Sequence, residues 1–124
     1  MDALLSIKPE FVNEIRLGKK KYEFRKRIFK KPNVEKVIIY ESSPVSKIVG
    51  EFAITKILEE KPDVLWEKTK NHSGITKRFF DQYFHGKETA IAIEFEKFEE
   101  YSEPKTLNQL GLKSAPQSFV YIEK

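Results

Sequence analysis

Two strand-forming stretches lie so close together in this chain that most α/β folds are closed to it. Val34 to Tyr40 carries the run Val37-Ile38-Ile39, and Lys47 to Leu58 alternates through Gly50-Glu51-Phe52-Ala53-Ile54. Glu41-Ser42-Ser43-Pro44 reads as a turn between them. Parallel neighbours need a crossover of roughly a dozen residues or more. The few residues available here allow antiparallel pairing only, which argues against a doubly wound parallel sheet.

The remaining elements fit around that pair. Ala3-Leu4-Leu5-Ser6-Ile7 reads as a buried strand. Pro9 suits the first position of a helix, where its missing N–H costs nothing. Phe11, Val12, Ile15 and Leu17 recur with helical spacing, and Gly18 ends that helix. Lys19 to Arg27 is expected as a strand, with Tyr22 and Phe24 on one side and Lys21, Glu23, Arg25 and Arg27 on the other. Phe29 to Asn33 is a basic loop containing Pro32. Pro62 to Lys70 reads as a helix that packs through Val64, Leu65 and Trp66, and Asn71-His72-Ser73-Gly74 breaks it. Thr76 is a good N-cap for a second helix, Lys77 to Phe84. Thr89 to Phe95 alternates as a strand. The acidic run Glu94 to Glu103 is expected on a face away from the basic strand. Pro104 to Gly111 reads as a loop with one helical turn, and Pro116 to Ile122 as the last strand. About six strands and three short helices make residues 1–124 a single α+β domain. The expected architecture is a small mixed β-barrel, closed or nearly closed, with helices over its ends.

Composition bounds the chemistry. There is no Cys, which removes disulfides, thiolate nucleophiles and thiolate metal sites. No apolar run approaches the roughly 20 residues of a membrane-spanning helix. The first residues lack the pattern of a secretory signal, so a cytoplasmic location is expected. His72 and His85 stand apart with no ligand pattern, so neither a metal nor another cofactor is expected. There is no phosphate-binding Gly-rich loop and no metalloprotease motif.

Charge is distributed unevenly. Lys19 to Lys31 holds eight Lys/Arg and one acid, a local charge of +7 in a chain of net +4. A polyanion would be drawn to this segment first. Within it, Glu23 and Arg25 share a strand face with Lys21. They make either a polar pocket that grips phosphate and accepts from a base or sugar, or a surface ion-pair ladder of small energetic weight. Ser42 and Ser43 either present hydroxyls and amides to an anion or form an ordinary turn. Gln117 and Ser118 either cap the last strand or line the same pocket. Tyr40 is a candidate for stacking on a base. Trp66, the only Trp, reads as a core residue.

Several of these residues fall into a known pattern. Leu5-Ser6-Ile7-Lys8-Pro9, a short helix, then Gly18-x-Lys20-x-x-Glu23-x-Arg25 resembles the ASCH family, a branch of the PUA-like superfamily. Tyr40-x-Ser42-Ser43-Pro44, Gly50-Glu51-Phe52, Trp66, Ser73-Gly74-Ile75-Thr76, Phe80-x-x-Tyr83-Phe84 and Pro116-Gln117-Ser118-Phe119 are similar to a prokaryotic subgroup of it. The resemblance implies a small PUA-like barrel with a cleft at one end, lined by the signature. It also implies an RNA or nucleotide-like ligand. Some relatives are small amidohydrolases of acetylated cytidine, and others are connected with RNA cleavage. In the amidohydrolase pattern a Lys and a Thr of the signature act with a later Glu. Here the Lys matches Lys20 and the Thr position holds Glu23. The later Glu falls near His72 and Ser73, where there is no carboxylate.

The sequence therefore leads to an RNA- or nucleotide-binding module with a basic cleft. Lys20, Glu23 and Arg25 are its expected centre, and Lys21 and Arg27 flank it. Lys19, Lys26, Lys30 and Lys31 supply further phosphate contacts, and Ser42, Ser43, Gln117 and Ser118 secondary polar ones. The alternative is a small hydrolase or ribonuclease using Lys20 as base and Glu23 as proton relay. A third reading makes the basic strand a docking face for a protein partner in a translation or transcription complex. One tension remains. Regular alternation gives Lys20 the parity of Tyr22 and Phe24, so a cleft holding all three signature residues requires an irregular chain between Gly18 and Lys21.

Overall fold

The computed structural model describes residues 1–123. β1 (Asp2–Ile7) leads through α1 (Pro9–Arg16) and β2 (Tyr22–Arg25) to β3 (Lys36–Glu41). β4 (Lys47–Glu60) follows, then α2 (Pro62–Thr69), a 3₁₀ turn (Lys70–His72) and α3 (Lys77–Tyr83). β5 (Ala90–Lys105), a second 3₁₀ turn (Asn108–Leu110) and β6 (Phe119–Ile122) complete the described chain. The strands form one mixed sheet in the order β2-β5-β4-β3-β1-β6. β3 and β4 pair antiparallel, as their short connection requires. β1 and β3 pair in parallel, joined by the long crossover through α1 and β2.

Three register shifts break the β4–β5 ladder, between Ile48 and Gly50, Glu51 and Ala53, and Ile54 and Lys56. Such irregularities bend a strand and increase its twist. They curl the sheet until its two edges, β2 and β6, approach one another. Among the described residues no backbone ladder joins those edges, so the architecture is barrel-like without being a closed barrel. Side chains make the connection. The Arg25 guanidinium donates to the Ser6 carbonyl on β1 at 2.8 Å and to the Ser118 carbonyl beside β6 at 3.4 Å. The amides of Lys30 and Lys31 both donate to the Tyr121 hydroxyl, at 3.0 and 3.2 Å. Phe29 meets Phe119 edge to face at 5.2 Å.

Three apolar clusters fix the layers. Ala3, Leu5, Val37, Ile39, Val49, Phe52, Ile93 and Phe95 fill the concave face, which α1 covers with Val12 and Ile15. Phe52 and Phe95 stack there at 3.9 Å. Outside β2 and β5, α2 and α3 bring Leu65, Phe80 and Phe84 against Phe24, Ala90 and Ala92. The two alanines leave room for the rings. A third cluster joins Leu4, Ile38, Tyr40 and Ile48 to the segment before β6. Tyr40 is therefore a core residue and not a stacking platform, being 8% exposed. Trp66 packs on Phe80 at 5.1 Å.

Several boundaries differ from the sequence reading. β2 covers only Tyr22–Arg25, β3 begins at Lys36 and β6 at Phe119. β5 continues through the whole acidic run to Lys105, because the long β4 gives it a partner strand there. Glu94 does not lie away from the basic strand: it is the register partner of Tyr22 on β2. Gly50 allows a close approach of β5, since a Cβ there would come within 3.2 Å of the Glu100 Cα. Among the described residues no helix is long and apolar enough to cross a membrane.

Candidate functional site

The chain leaves α1 through Gly18, which takes φ +75°. The amides of Lys19 and Lys20 then both donate to the Glu14 carbonyl, at 3.0 and 3.1 Å. The amide of Lys21 donates to the His72 carbonyl at 2.9 Å, and its carbonyl accepts from the Phe95 amide at 3.2 Å. Residues 18–21 are thus pinned on both sides without forming a strand. Lys19 and Lys21 point to solvent, while Lys20 is 2% exposed. This irregular passage resolves the parity conflict.

The position of β2 matters equally. Glu23 and Arg25 pair with Ile93 and Ile91 and so share the concave face, whereas Phe24 shares the opposite face with Ala92. A central strand would keep these two sets apart. β2 is an edge strand, and one cavity of about 240 Å³ touches Glu23, Phe24 and Arg25 together. Its other walls come from Ser6, Ile7 and Lys8 at the end of β1, Phe11 on α1, Lys20, Ile75, Phe79 and Tyr83 around α3, and Gln117.

Lys20 Nζ donates to the Ser73 carbonyl at 3.0 Å and lies 3.9 Å from Glu23 Oε1. It sits over the rings of Phe24 and Phe11, at 4.9 and 5.4 Å from their centroids. Removal from water disfavours the charged ammonium, and this effect exceeds the attraction of Glu23; Arg25 adds repulsion and Glu14 a further attraction. The result is a lysine pushed down to about 8. The second oxygen of Glu23 accepts from Arg25 Nε at 3.0 Å. Arg25 thus spends its donors on Glu23, Ser6 and Ser118. It is a clamp that orients the carboxylate and ties the sheet edges, and less a free phosphate grip than its charge suggests.

Gly74 completes the seat of Lys20. At φ +66° it lies directly on the lysine stem, and an added Cβ would come within 2.6 Å of the Lys20 Cγ and closer still to its Cβ. Gly74→Ala therefore combines backbone strain of about 1–2 kcal/mol with displacement of Lys20 towards solvent. The expected result is a lower midpoint in thermal melts and a Lys20 pKa that moves up towards the ordinary lysine range, read by NMR titration of the labelled side chain. An unmoved Lys20 pKa in this variant would show that Gly74 does not hold the amine in place.

Of the residues singled out from the sequence, Lys20, Glu23, Arg25 and Gln117 meet in the cavity; Ser118 lies outside its lining, and its carbonyl accepts from Arg25. Lys21 and Arg27 are exposed and outside its lining. Ser42 and Ser43 also lie outside it; the Ser42 amide caps the end of β1 by donating to the Ile7 carbonyl at 3.0 Å. The cavity itself is mixed in charge, since Glu23 sits between two cations. Sequence reasoning missed Lys8, Phe11, Phe79 and Tyr83 as wall residues. Phe11 and Phe79 have helical spacing that reads simply as core. Among the described residues no group of three or more His, Asp or Glu is placed to hold a metal ion.

A barrel-like mixed sheet with this signature lining a cavity between its edges defines an ASCH-type domain. The fold matches the crystal structure of ASCH from Zymomonas mobilis with a TM-score of 0.89 and 29% sequence identity, covering 99% of this chain and 88% of that one. The chain belongs to the family described as "Domain of unknown function (DUF365)", whose model matches residues 7–114. Among curated proteins it is 29% identical over 127 residues to an ASCH domain-containing ribonuclease of Zymomonas mobilis, covering 99% of this chain and 85% of the relative. It is also 32% identical over 90 residues to the large ribosomal subunit protein uL22 of Ureaplasma parvum. That match covers 73% of this chain, and the chain spans only 29% of the relative's length.

Proposed function

We propose that this domain binds RNA and seats one nucleotide in the cavity between the sheet edges. The observation that carries the reading is the meeting of Lys20, Glu23 and Arg25 with aromatic walls in a single recess. Aromatic rings suit a nucleobase. The ammonium of Lys20 suits a phosphate, and Glu23 can accept from a base or sugar. The exposed cations Lys19, Lys21, Lys26, Arg27, Lys30 and Lys31 add sequence-independent attraction. The resemblance to a protein named as a ribonuclease supports RNA as the ligand.

A second reading, RNA cleavage at the same place, is favoured by the buried Lys20. An amine with a pKa of about 8 is partly neutral near neutral pH. It can then take the proton of a ribose 2′-hydroxyl. The freed oxygen attacks the adjacent phosphorus, the bond to the 5′-oxygen breaks, and water protonates the leaving oxygen.

Opposite pH slopes separate the two. In fluorescence-polarisation titrations with a labelled RNA, an ammonium that grips phosphate gives affinity that falls as pH rises through about 8. In a gel assay of the same RNA, a general base gives a cleavage rate that climbs up to about pH 8 and then levels. Binding is also expected to weaken steeply between 50 and 200 mM salt. Affinity that is flat in salt, with no turnover at any pH, would remove RNA as the ligand.

A further inference from the structure

We infer that the mouth of the cavity is built for an internal nucleotide of single-stranded RNA, with Lys8 and Lys26 holding the phosphates on its two sides; this rests on the reading of the cavity proposed above. Phe79 and Tyr83 lie one turn apart on α3, are half-buried, and both line the cavity. Their rings are nearly parallel, 12° apart, with centroids separated by 6.2 Å. Each ring carries a lysine. Lys8 Nζ is 5.7 Å from the Phe79 centroid and Lys26 Nζ is 4.5 Å from that of Tyr83. The lysines come from different parts of the chain, one at the end of β1 and one at the end of β2. The fold brings them to a common ledge.

Their surroundings differ from those of the ion-paired surface lysines. Lys36, Lys68, Lys70 and Lys77 are each ion-paired with a carboxylate. Among the described residues neither Lys8 nor Lys26 has such a partner, and each rests on a ring that lines the recess, whereas the rings under Lys31 and Lys105 lie outside it. An ammonium held this way can leave the ring for a phosphate oxygen. The two rings stand 6.2 Å apart, a separation on the scale of successive phosphates along a nucleic-acid strand. A nucleoside in the cavity has no phosphate to offer either lysine, and a terminal nucleotide has one. An internal nucleotide uses both, while its neighbour's base has Phe79 and Tyr83 to stack on.

The test is competition against a fluorescein-labelled random-sequence RNA nonamer. Unlabelled competitors are an equimolar mixture of the four nucleosides and a mixture of random-sequence RNA trinucleotides. The expected result is that trinucleotides compete at least 100-fold better than nucleosides. Lys8→Gln and Lys26→Gln should each weaken trinucleotide binding about 5–10-fold, a larger loss than either causes in nucleoside competition. Each should also reduce the slope of log affinity against log salt by about 0.7, the value for one phosphate contact on a single strand. Lys56→Gln, at an exposed lysine outside the cavity, is the control. Nucleosides that compete as well as trinucleotides would overturn this inference and leave the cavity reading standing. Losses equal to that of Lys56→Gln would also overturn it. If the wild-type protein binds no RNA at all, the cavity reading fails and this inference fails with it.

Discussion

Lys20→Met is expected to melt at the same temperature as the wild-type protein or a few degrees higher, and to lose RNA binding and any RNA cleavage by 100-fold or more. The wild-type side chain is a mostly charged amine at neutral pH, enclosed by protein and facing two aromatic rings. Its one short hydrogen bond goes to the Ser73 carbonyl, and Glu23 is 3.9 Å away. Methionine fills similar volume without the charge. The loss of one hydrogen bond, about 1 kcal/mol, opposes relief of the cost of desolvating the ammonium. Because the folded pKa lies below that of an unfolded lysine, the unfolded chain binds more protons between about pH 8 and 10.5. Wild-type stability therefore rises with pH across that window. The advantage of Lys20→Met should be largest below pH 8 and shrink towards pH 10.5. Thermal melts of both proteins across this range check it. A variant less stable than wild type by more than about 2 kcal/mol at pH 7 would show that the ion pair with Glu23 outweighs desolvation. Gain of stability with loss of function is the usual mark of a residue kept for chemistry.

Arg25→Ala should behave in the opposite way. It leaves the Glu23 carboxylate, only 8% exposed, without its closest cation, and it frees the carbonyls of Ser6 and Ser118. Breaking a buried pair by removing one partner costs about 3–5 kcal/mol, a large share of the 5–15 kcal/mol typical of a whole domain. RNA affinity should fall far more than in Lys31→Ala, whose exposed ammonium rests on the Tyr121 ring. Urea unfolding gives the first quantity and polarisation titration the second. Arg25→Lys keeps the charge without the planar fork, and is expected to fall between wild type and Arg25→Ala in both. A cost below about 1 kcal/mol for Arg25→Ala would mean that the sheet edges are held by Tyr121 and Phe119 alone.

Much of the fold was legible in the sequence because its strands carry strong apolar alternation and its helices carry clear start and stop signals. Thr76 illustrates the latter, its hydroxyl accepting from the Phe79 amide at 3.0 Å. The second half of β5 was not legible. A run such as Glu94 to Glu103 reads as solvated chain, and only the equally long β4 beside it makes it a strand. The site was half legible. Glu23 and Arg25 follow from strand periodicity, whereas Lys20 sits in a passage fixed by backbone hydrogen bonds to Glu14 and His72, which no periodicity encodes. The basic cluster also misled in one respect. Of its eight cations only Lys20 and Arg25 enter the cavity, and both are engaged by protein partners. Lys8, Phe79 and Tyr83 were hidden because residues far apart in sequence meet only when the sheet curls.

The curl has a consequence for how the molecule moves. A barrel closed by a ladder opens only by breaking many backbone hydrogen bonds at once. Here, among the described residues, the two margins of the sheet meet at a seam stitched by the Arg25 guanidinium, the Tyr121 phenol and the Phe29–Phe119 pair of rings. A seam of that kind is the cheapest place for the domain to part, and the cavity lies along it. Under the proposed function, a nucleotide lodged there would touch both margins and become an additional stitch. On that reading, occupancy of the site and closure of the barrel would be a single event.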